Sequence, residues 1–145
     1  MKNIFLLLFS IISVNAYSCS CDHIDYQSKE DLKQYDFIAL VSVDSTYLSD
    51  DSKLDFAYYN VNFTIKELFK GDISINTLDV LGGNVLLSDD FITSCDMYIK
   101  KGEKWLLFAY IEQGRLITHV CTDTTEIDDK PYHQKALKKI RRIAK

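Results

Sequence analysis

The sequence predicts an all-β protein, a small closed or partly closed barrel, with one helix at the C-terminal end. Short segments rich in β-branched and aromatic residues alternate with polar or glycine-containing turns, which is typical of strands joined mostly by hairpins. The last stretch of the chain instead carries apolar residues at helical spacing. An apolar content of 47%, with 12% aromatic residues, is enough to fill one packed core.

Five segments have the composition of strands. In chain order they are 36–43, 57–69, 77–81, 105–111 and 115–120. The second segment alternates, with apolar side chains at Tyr59, Val61, Phe63 and Ile65, so one of its faces is predicted to line the core. A short polar helix is expected over 28–34, and a polar hairpin loop over 48–55.

The C-terminal stretch predicts an amphipathic helix over about 131–144. Pro131 suits a first helical turn, and Leu137, Ile140 and Ile143 recur on one face. Residues 130–145 contain seven Lys or Arg and no acidic residue. The basic face is either simply solvated or contacts an acidic partner or an anionic surface. Nucleic acid is excluded as a partner because the chain is acidic overall, with net charge −4, and carries an export signal.

The N-terminus predicts a secretory signal peptide. Lys2 precedes the apolar run Ile4–Val14, which is too short to span a membrane, and small residues follow it. Cleavage after residue 18 would start the mature chain at Cys19, whereas cleavage after Ala16 would start it at Tyr17. Lipidation of Cys19 is a third, less favoured outcome. We therefore expect a secreted protein, or a periplasmic one in a bacterium, with a single domain over 19–145 and no transmembrane segment.

Four cysteines in an exported chain favour disulfides. A Cys19–Cys21 bridge would close a very tight ring, so two connectivities remain, and each ties these two residues to Cys95 and Cys121. A four-cysteine zinc site is the competing interpretation, but Cys95 and Cys121 are far apart in sequence. The three histidines, at 23, 119 and 133, form no metal-binding pair. No metal or cofactor is therefore predicted.

No enzymatic signature is present in the sequence. It has no Ser-His-Asp pattern, no phosphate-binding loop and no H-E-x-x-H motif. The paired acids Asp89-Asp90 and Asp128-Asp129 fall in predicted loops, where solvated charge is the expected state. The sequence thus predicts a protein that is not an enzyme.

The chain resembles the netrin-like module, most closely the N-terminal domain of tissue inhibitors of metalloproteinases. The matching features run through nearly the whole mature chain: the Cys19-Ser20-Cys21 start, Ile65–Gly71, Ser94-Cys95, Gly102–Tyr110 and Gly114–Cys121. The resemblance implies a five-stranded OB-fold barrel with flanking helices. It also implies the pairings Cys19–Cys95 and Cys21–Cys121.

The resemblance further implies a function for the mature N-terminus. In these inhibitors the α-amino group and carbonyl of the first cysteine chelate the zinc of the protease, a role that falls here on Cys19. Ser20 would face the specificity pocket, and Cys21 and Asp22 would also contact the protease. The inhibitors continue after Cys21 with an apolar residue and proline, whereas this chain has Asp22 and His23, which places a carboxylate near the general-base glutamate of the protease.

Two other functions remain compatible with the same residues. Many netrin-like modules inhibit no protease and bind other proteins, so a non-inhibitory secreted binding module is the main alternative. A lipid-anchored surface protein, attached through Cys19, is the less favoured one.

Overall fold

Over the residues that the structure describes, the protein is an all-β barrel followed by a C-terminal α-helix. The computed structural model describes residues 21, 28–48, 58–82 and 96–145. The elements in these ranges are a 3₁₀ helix Asp31–Gln34, β1 Phe37–Leu48, β2 Tyr58–Lys70, β3 Thr77–Leu81, β4 Lys104–Glu112, β5 Arg115–Thr118, β6 Thr125–Glu126 and α1 Pro131–Ile143.

Five of the strands close on themselves. Their order around the barrel is β1-β2-β3-β5-β4, and β4 returns to pair with β1. Neighbouring strands are antiparallel except β3 and β5, which run parallel over Asp79↔Ile117 and Val80↔Thr118. Five strands closed in this order form an OB-fold barrel, so the predicted fold class is confirmed.

The barrel interior holds the main core. The alternation predicted for the second strand is confirmed, because Tyr59, Val61 and Phe63 of β2 are all buried there. The other strands contribute the remaining buried side chains of this cluster, among them Phe37, Val41, Leu78, Val80, Leu107 and Leu116. Side chains that alternate along a strand point to opposite faces, so every second residue from Tyr59 to Phe63 fills this interior, and Ile65 is partly buried against it.

The outer face of β1 is also buried, and α1 is the reason. Ile38 and Leu40 point away from the barrel interior and pack with Leu106, Leu137 and Ile140 in a second cluster. A strand covered on both faces reads as a continuous apolar run instead of an alternating one, as residues 37–41 do. Helix α1 therefore docks through its apolar face, as its spacing predicted. Within the described residues, no helix is long and apolar enough to cross a bilayer.

Several element boundaries differ from the sequence predictions. Strand β1 continues past Val43 to Leu48. Its polar half stays paired with β2, and the pairing accommodates shifts in register between the two strands. The helix predicted over 28–34 is only the 3₁₀ helix, and β5 ends at Thr118. Strand β6 was not predicted, since it has only two residues, both of which pair with β4. Most of the predicted loop over 48–55 lies outside the described residues.

Candidate functional site

A disulfide ties the N-terminal segment to the barrel. Cys21 and Cys121 are bonded, with their Cα atoms 5.0 Å apart. Cys121 follows β5, so this bond fixes Cys21 at the end of the barrel where β5 ends. It is one of the pairings that the sequence left open, and the one that the resemblance implies. Sulfurs joined to each other are not thiolate ligands, so a four-cysteine zinc site that uses this pair is excluded.

Three threonine hydroxyls hold the segment that carries Cys121. Thr118 and Thr124 both donate hydrogen bonds to the carbonyl oxygen of Phe108 on β4, at 3.0 and 2.9 Å. The Thr122 hydroxyl lies 2.8 Å from that of Thr118 and donates to the carbonyl of His119. Because Thr118 and Thr122 are buried, each of these contacts replaces water that the site excludes.

Sequence reasoning missed this threonine cluster. The signal that could have found it is the spacing Thr118, Thr122 and Thr124 around Cys121, a short polar run beside a strand end. Threonines in such a run are ordinarily taken for solvated turn residues. Only the position of β4, which presents the Phe108 carbonyl, turns them into a buried network.

Aromatic rings line the same region. Tyr110 stacks against His119, with 6.2 Å between ring centroids, and contacts the Tyr35 ring in a tilted arrangement at 5.1 Å. The Tyr35 hydroxyl donates to Asp123 Oδ2 at 2.8 Å. Burial, followed by this hydrogen bond to a carboxylate, raises the pKa of Tyr35 above its ordinary value. The segment after β5 is thus packed on both sides of Cys121, so the tether has a rigid base.

The structure describes only some of the predicted site residues. Cys21 and Cys121 are the disulfide above, whereas Cys19, Ser20, Asp22 and Cys95 lie outside the described residues, as does His23.

The two described histidines have different environments. His119 Nδ1 accepts a hydrogen bond from the backbone N–H of Cys121 at 3.2 Å, which orients the ring beside the disulfide. His133 is buried in α1, with Nδ1 2.6 Å from Asp128 Oδ1. Among the residues that the structure describes, no three His, Cys, Asp or Glu side chains are grouped to hold a metal ion.

Asp128 is more than a solvated loop acid. Its carboxylate oxygens lie 2.8 Å from Lys130 Nζ and 2.6 Å from His133 Nδ1, and Oδ1 also accepts from the Lys130 backbone N–H. These contacts, that of Lys130 first, hold the pKa of Asp128 well below its ordinary value. The carboxylate therefore anchors the first turn of α1.

A concave pocket of about 450 Å³ opens on the barrel surface across β2, β3 and β5. The Asp79 carboxylate lies buried in its wall, where it accepts hydrogen bonds from Asn60 Nδ2 and Arg115 Nε. The Arg115 guanidinium also lies over the Tyr58 ring, 5.9 Å from the centroid. We call this the barrel pocket. It combines an ion pair with apolar walls from Ile75, Ile111 and Leu116.

The basic face of α1 remains largely outside the fold. Lys135, Lys138, Arg142 and Lys145 are exposed, whereas Arg141 is bonded to Glu67 of β2. Leu137 and Ile140 on the opposite side are buried against the barrel. The helix thus presents positive charge outward while the centre of its apolar face is buried in docking.

No protein-family model matches this chain, and no curated protein is found to be similar to it. Its function is therefore inferred from the geometry of the tethered N-terminal segment and of the two surfaces just described.

Proposed function

We propose that the protein is a secreted inhibitor of zinc metalloendopeptidases, acting through the α-amino group and carbonyl of a mature N-terminal Cys19. The observation that carries this proposal is the Cys21–Cys121 disulfide. It fixes the chain two residues from Cys19 to a segment locked by the threonine cluster, and so limits where Cys19 can lie. A terminus restrained in this way loses little conformational entropy on binding.

A second tether would restrain Cys19 itself. Asp96, the residue after Cys95, packs against Gly82 at the end of β3: a Cβ built on Gly82 would lie 3.1 Å from the Asp96 Cα. Strands β3 and β5 run parallel, so their ends, and with them Asp96 and Cys121, belong to the same end of the barrel. This placement supports the Cys19–Cys95 pairing.

The chemistry of chelation needs only the terminal residue. A catalytic zinc keeps one open position that normally holds water, and an amine and a carbonyl on one residue can displace that water together. The amine binds metal only when neutral, and a free α-amino group has a pKa of about 7.7 to 8.0. Inhibition should therefore weaken in acid. Ser20 would face the specificity pocket of the protease, with Cys21 and Asp22 in contact with the enzyme.

The proposal also requires export and cleavage before Cys19. A disulfide between Cys21 and Cys121 forms and persists in oxidising compartments, which supports secretion, or a periplasmic location in a bacterium. Removal of residues 1–18 as a signal peptide would expose the amine. Retention of Tyr17 and Ser18 would block it.

The test compares two forms of one protein. The chain starting at Cys19 and the chain starting at Tyr17 are produced with both forms checked for the Cys21–Cys121 bond by peptide mapping. Each is titrated against a panel of zinc endopeptidases. We expect only the form that begins with Cys19 to inhibit, and N-terminal acetylation to abolish its effect. Full protease activity with the free Cys19 form would refute the proposal.

A non-inhibitory binding module is the second candidate, and the barrel pocket favours it. The β2–β3 side of OB barrels is a common ligand-binding face, and the pocket places Asn60, Asp79 and Arg115 there. This function predicts that an extension before Cys19 leaves partner binding unchanged, whereas Arg115→Ala weakens it. A lipid-anchored protein is the third; an added lipid mass on the exported chain would establish it and would consume the Cys19 amine.

A further inference from the structure

A second concave site lies away from the barrel interior, between the 3₁₀ helix, the end of β2 and the end of α1. It is a groove of about 260 Å³ with three apolar residues, Leu32, Phe69 and Ala144, and three lysines, Lys29, Lys33 and Lys70. Among the described residues that line it, none is acidic. We call it the lysine-rimmed groove.

Two of its three lysines already have partners. Lys70 Nζ donates to the carbonyl oxygens of Leu32, Lys33 and Tyr35, and so caps the 3₁₀ helix. Lys33 pairs with Glu30 at 2.6 Å, although both side chains remain largely exposed. One wall of the groove, the 3₁₀ helix, is therefore held in place by hydrogen bonds from Lys70 to backbone carbonyls.

Other cations at this end have no such contact. Lys29 is exposed on the rim, and Lys145 is exposed next to Ala144, which lines the groove. Neither of these two lysines forms an ion pair within the described part of the chain. The groove thus joins apolar surface to a positive field in a protein whose net charge is −4.

The size of the groove favours a single apolar side chain as its occupant. Pockets for drug-sized ligands usually span roughly 300 to 1,000 Å³, which is larger than this groove. A membrane is the poorer match. An interfacial helix inserts its apolar face into lipid, but here that face, with Leu137 and Ile140, is buried on the barrel. The exposed large apolar residues of the described chain are Tyr47, Ile73, Ile111 and Tyr132, and none of them lines the groove.

We propose that the lysine-rimmed groove binds an acidic peptide segment of a partner protein. One apolar side chain of that segment enters between Phe69 and Ala144, and its flanking carboxylates meet Lys29 and Lys145. Charge complementarity selects the segment, and the apolar side chain fixes its register. This binding is independent of zinc chelation by Cys19, since it uses none of the same residues.

A defined peptide tests the proposal with the full mature chain. The probe is a fluorescein-labelled heptapeptide with one leucine between two runs of three acidic residues, and its binding is followed by fluorescence anisotropy. The matched peptide carries serine in place of leucine. We expect the serine peptide to bind about tenfold more weakly, from the apolar burial it lacks. Raising NaCl from about 50 mM to about 500 mM should weaken both.

Two variants separate the apolar and charged contributions. Ala144→Trp fills the groove without altering its charge, and Ala144 has ordinary helical backbone angles that accept the larger side chain. The affinity for the leucine peptide should therefore fall to that for the serine peptide. The double variant Lys29→Glu, Lys145→Glu should weaken the binding of both peptides by more than about tenfold. Its control is Lys101→Glu with Lys104→Glu, which makes the same charge change beside Ser42 and Val43, midway along β1.

Three results would overturn the proposal. The leucine and serine peptides could bind equally, or Ala144→Trp could leave the leucine peptide unaffected; either would show that the groove is not used. Binding to phosphatidylserine vesicles that exceeds peptide binding and is insensitive to Ala144→Trp would assign this surface to a membrane instead. Circular dichroism of each variant, which should match that of the parent protein, confirms that lost binding is not lost folding.

Discussion

The Arg141 guanidinium donates two hydrogen bonds to one carboxylate oxygen of Glu67, from Nε at 2.8 Å and from Nη2 at 2.7 Å. This contact joins α1 to β2, but the two side chains remain 46% and 37% exposed. Ion pairs with such exposure contribute at most about 1 kcal/mol. Ile140, by contrast, is fully buried between α1 and the barrel. The apolar face, not the ion pair, therefore holds the helix.

We expect Ile140→Ala to lower the free energy of unfolding by about 2–5 kcal/mol, through lost burial and the cavity left behind. Glu67→Gln, which breaks the ion pair, should lower it by less than about 1 kcal/mol. Urea denaturation followed by tryptophan fluorescence measures both. Equal losses in the two variants would contradict this account of helix docking.

The Asp128 carboxylate predicts a loss of stability in acid. The hydrogen bond from Lys130, followed by His133, lowers its pKa in the folded state below the unfolded value of about 3.9. The stabilisation is therefore complete above that value and disappears as the pH falls toward the folded pKa. We expect Asp128→Asn to lower the Tm at pH 5, and the difference from the parent protein to shrink below about pH 4.

The neighbouring acid is the control for this pH dependence. Asp129 is exposed, so Asp129→Asn should leave the Tm nearly unchanged over the same range. A Tm difference for Asp128→Asn that stays constant down to about pH 2 would show that the carboxylate charge is not the cause.

Adding a single methyl group at Gly71, which follows β2, should strongly destabilise the protein. Its φ is +106°, and a Cβ there would lie 2.7 Å from Phe37 Cδ2 and 3.1 Å from the Asp36 carbonyl oxygen. Gly71→Ala should therefore cost about 2–5 kcal/mol, from backbone strain and overpacking together. Gly102 also has a positive φ but nothing within 4 Å of its Cβ position, so Gly102→Ala should cost only about 1–2 kcal/mol. Thermal unfolding of the pair tests the difference.

Removing the Thr118 hydroxyl should lower the free energy of unfolding because this hydroxyl is buried. Thr118→Val keeps the shape but removes a donor to the Phe108 carbonyl in a site without exposure, and should cost about 1–3 kcal/mol. The control is Thr64→Val, which removes an exposed hydroxyl that donates to Asp44 and should change stability by less than about 0.5 kcal/mol. Similar losses at both positions would contradict a buried network.

The Cys21–Cys121 disulfide closes a very long loop, with a sequence separation of 100 residues. In the chain-entropy model its removal should cost about 4–5 kcal/mol. The double variant Cys21→Ala, Cys121→Ala measures this by urea denaturation under oxidising conditions. The difference from the parent protein should vanish when both are reduced with dithiothreitol; a difference that persists would assign the loss to packing instead.

Local patterns were enough to predict most of the elements. The alternation at Tyr59, Val61 and Phe63 is a property of one strand, and it predicted the buried face of β2. Pro131 and the apolar spacing of α1 predicted the helix within one residue at its C-terminal end. The C-x-C motif predicted a tether of the N-terminal segment, and one of the two connectivities it left open contains the observed Cys21–Cys121 bond.

Contacts between distant segments could not be predicted in this way. The two residue pairs that join β3 to β5 close the barrel, yet neither strand carries a local mark of that pairing. Thr118, Thr122 and Thr124 form a buried network only because β4 brings the Phe108 carbonyl to them. The lysine-rimmed groove likewise exists only where the 3₁₀ helix, β2 and α1 meet.

Periodicity and composition were enough to predict the class of the fold, the helix and the charge that the helix carries, because both depend on neighbours along the chain. Contacts between distant segments were needed to establish which cysteine Cys21 meets, which hydroxyls are buried, and which lysines surround an apolar groove. Those outcomes depend on the closure of the barrel, which brings together side chains separated by tens of residues and removes them from water at the same time.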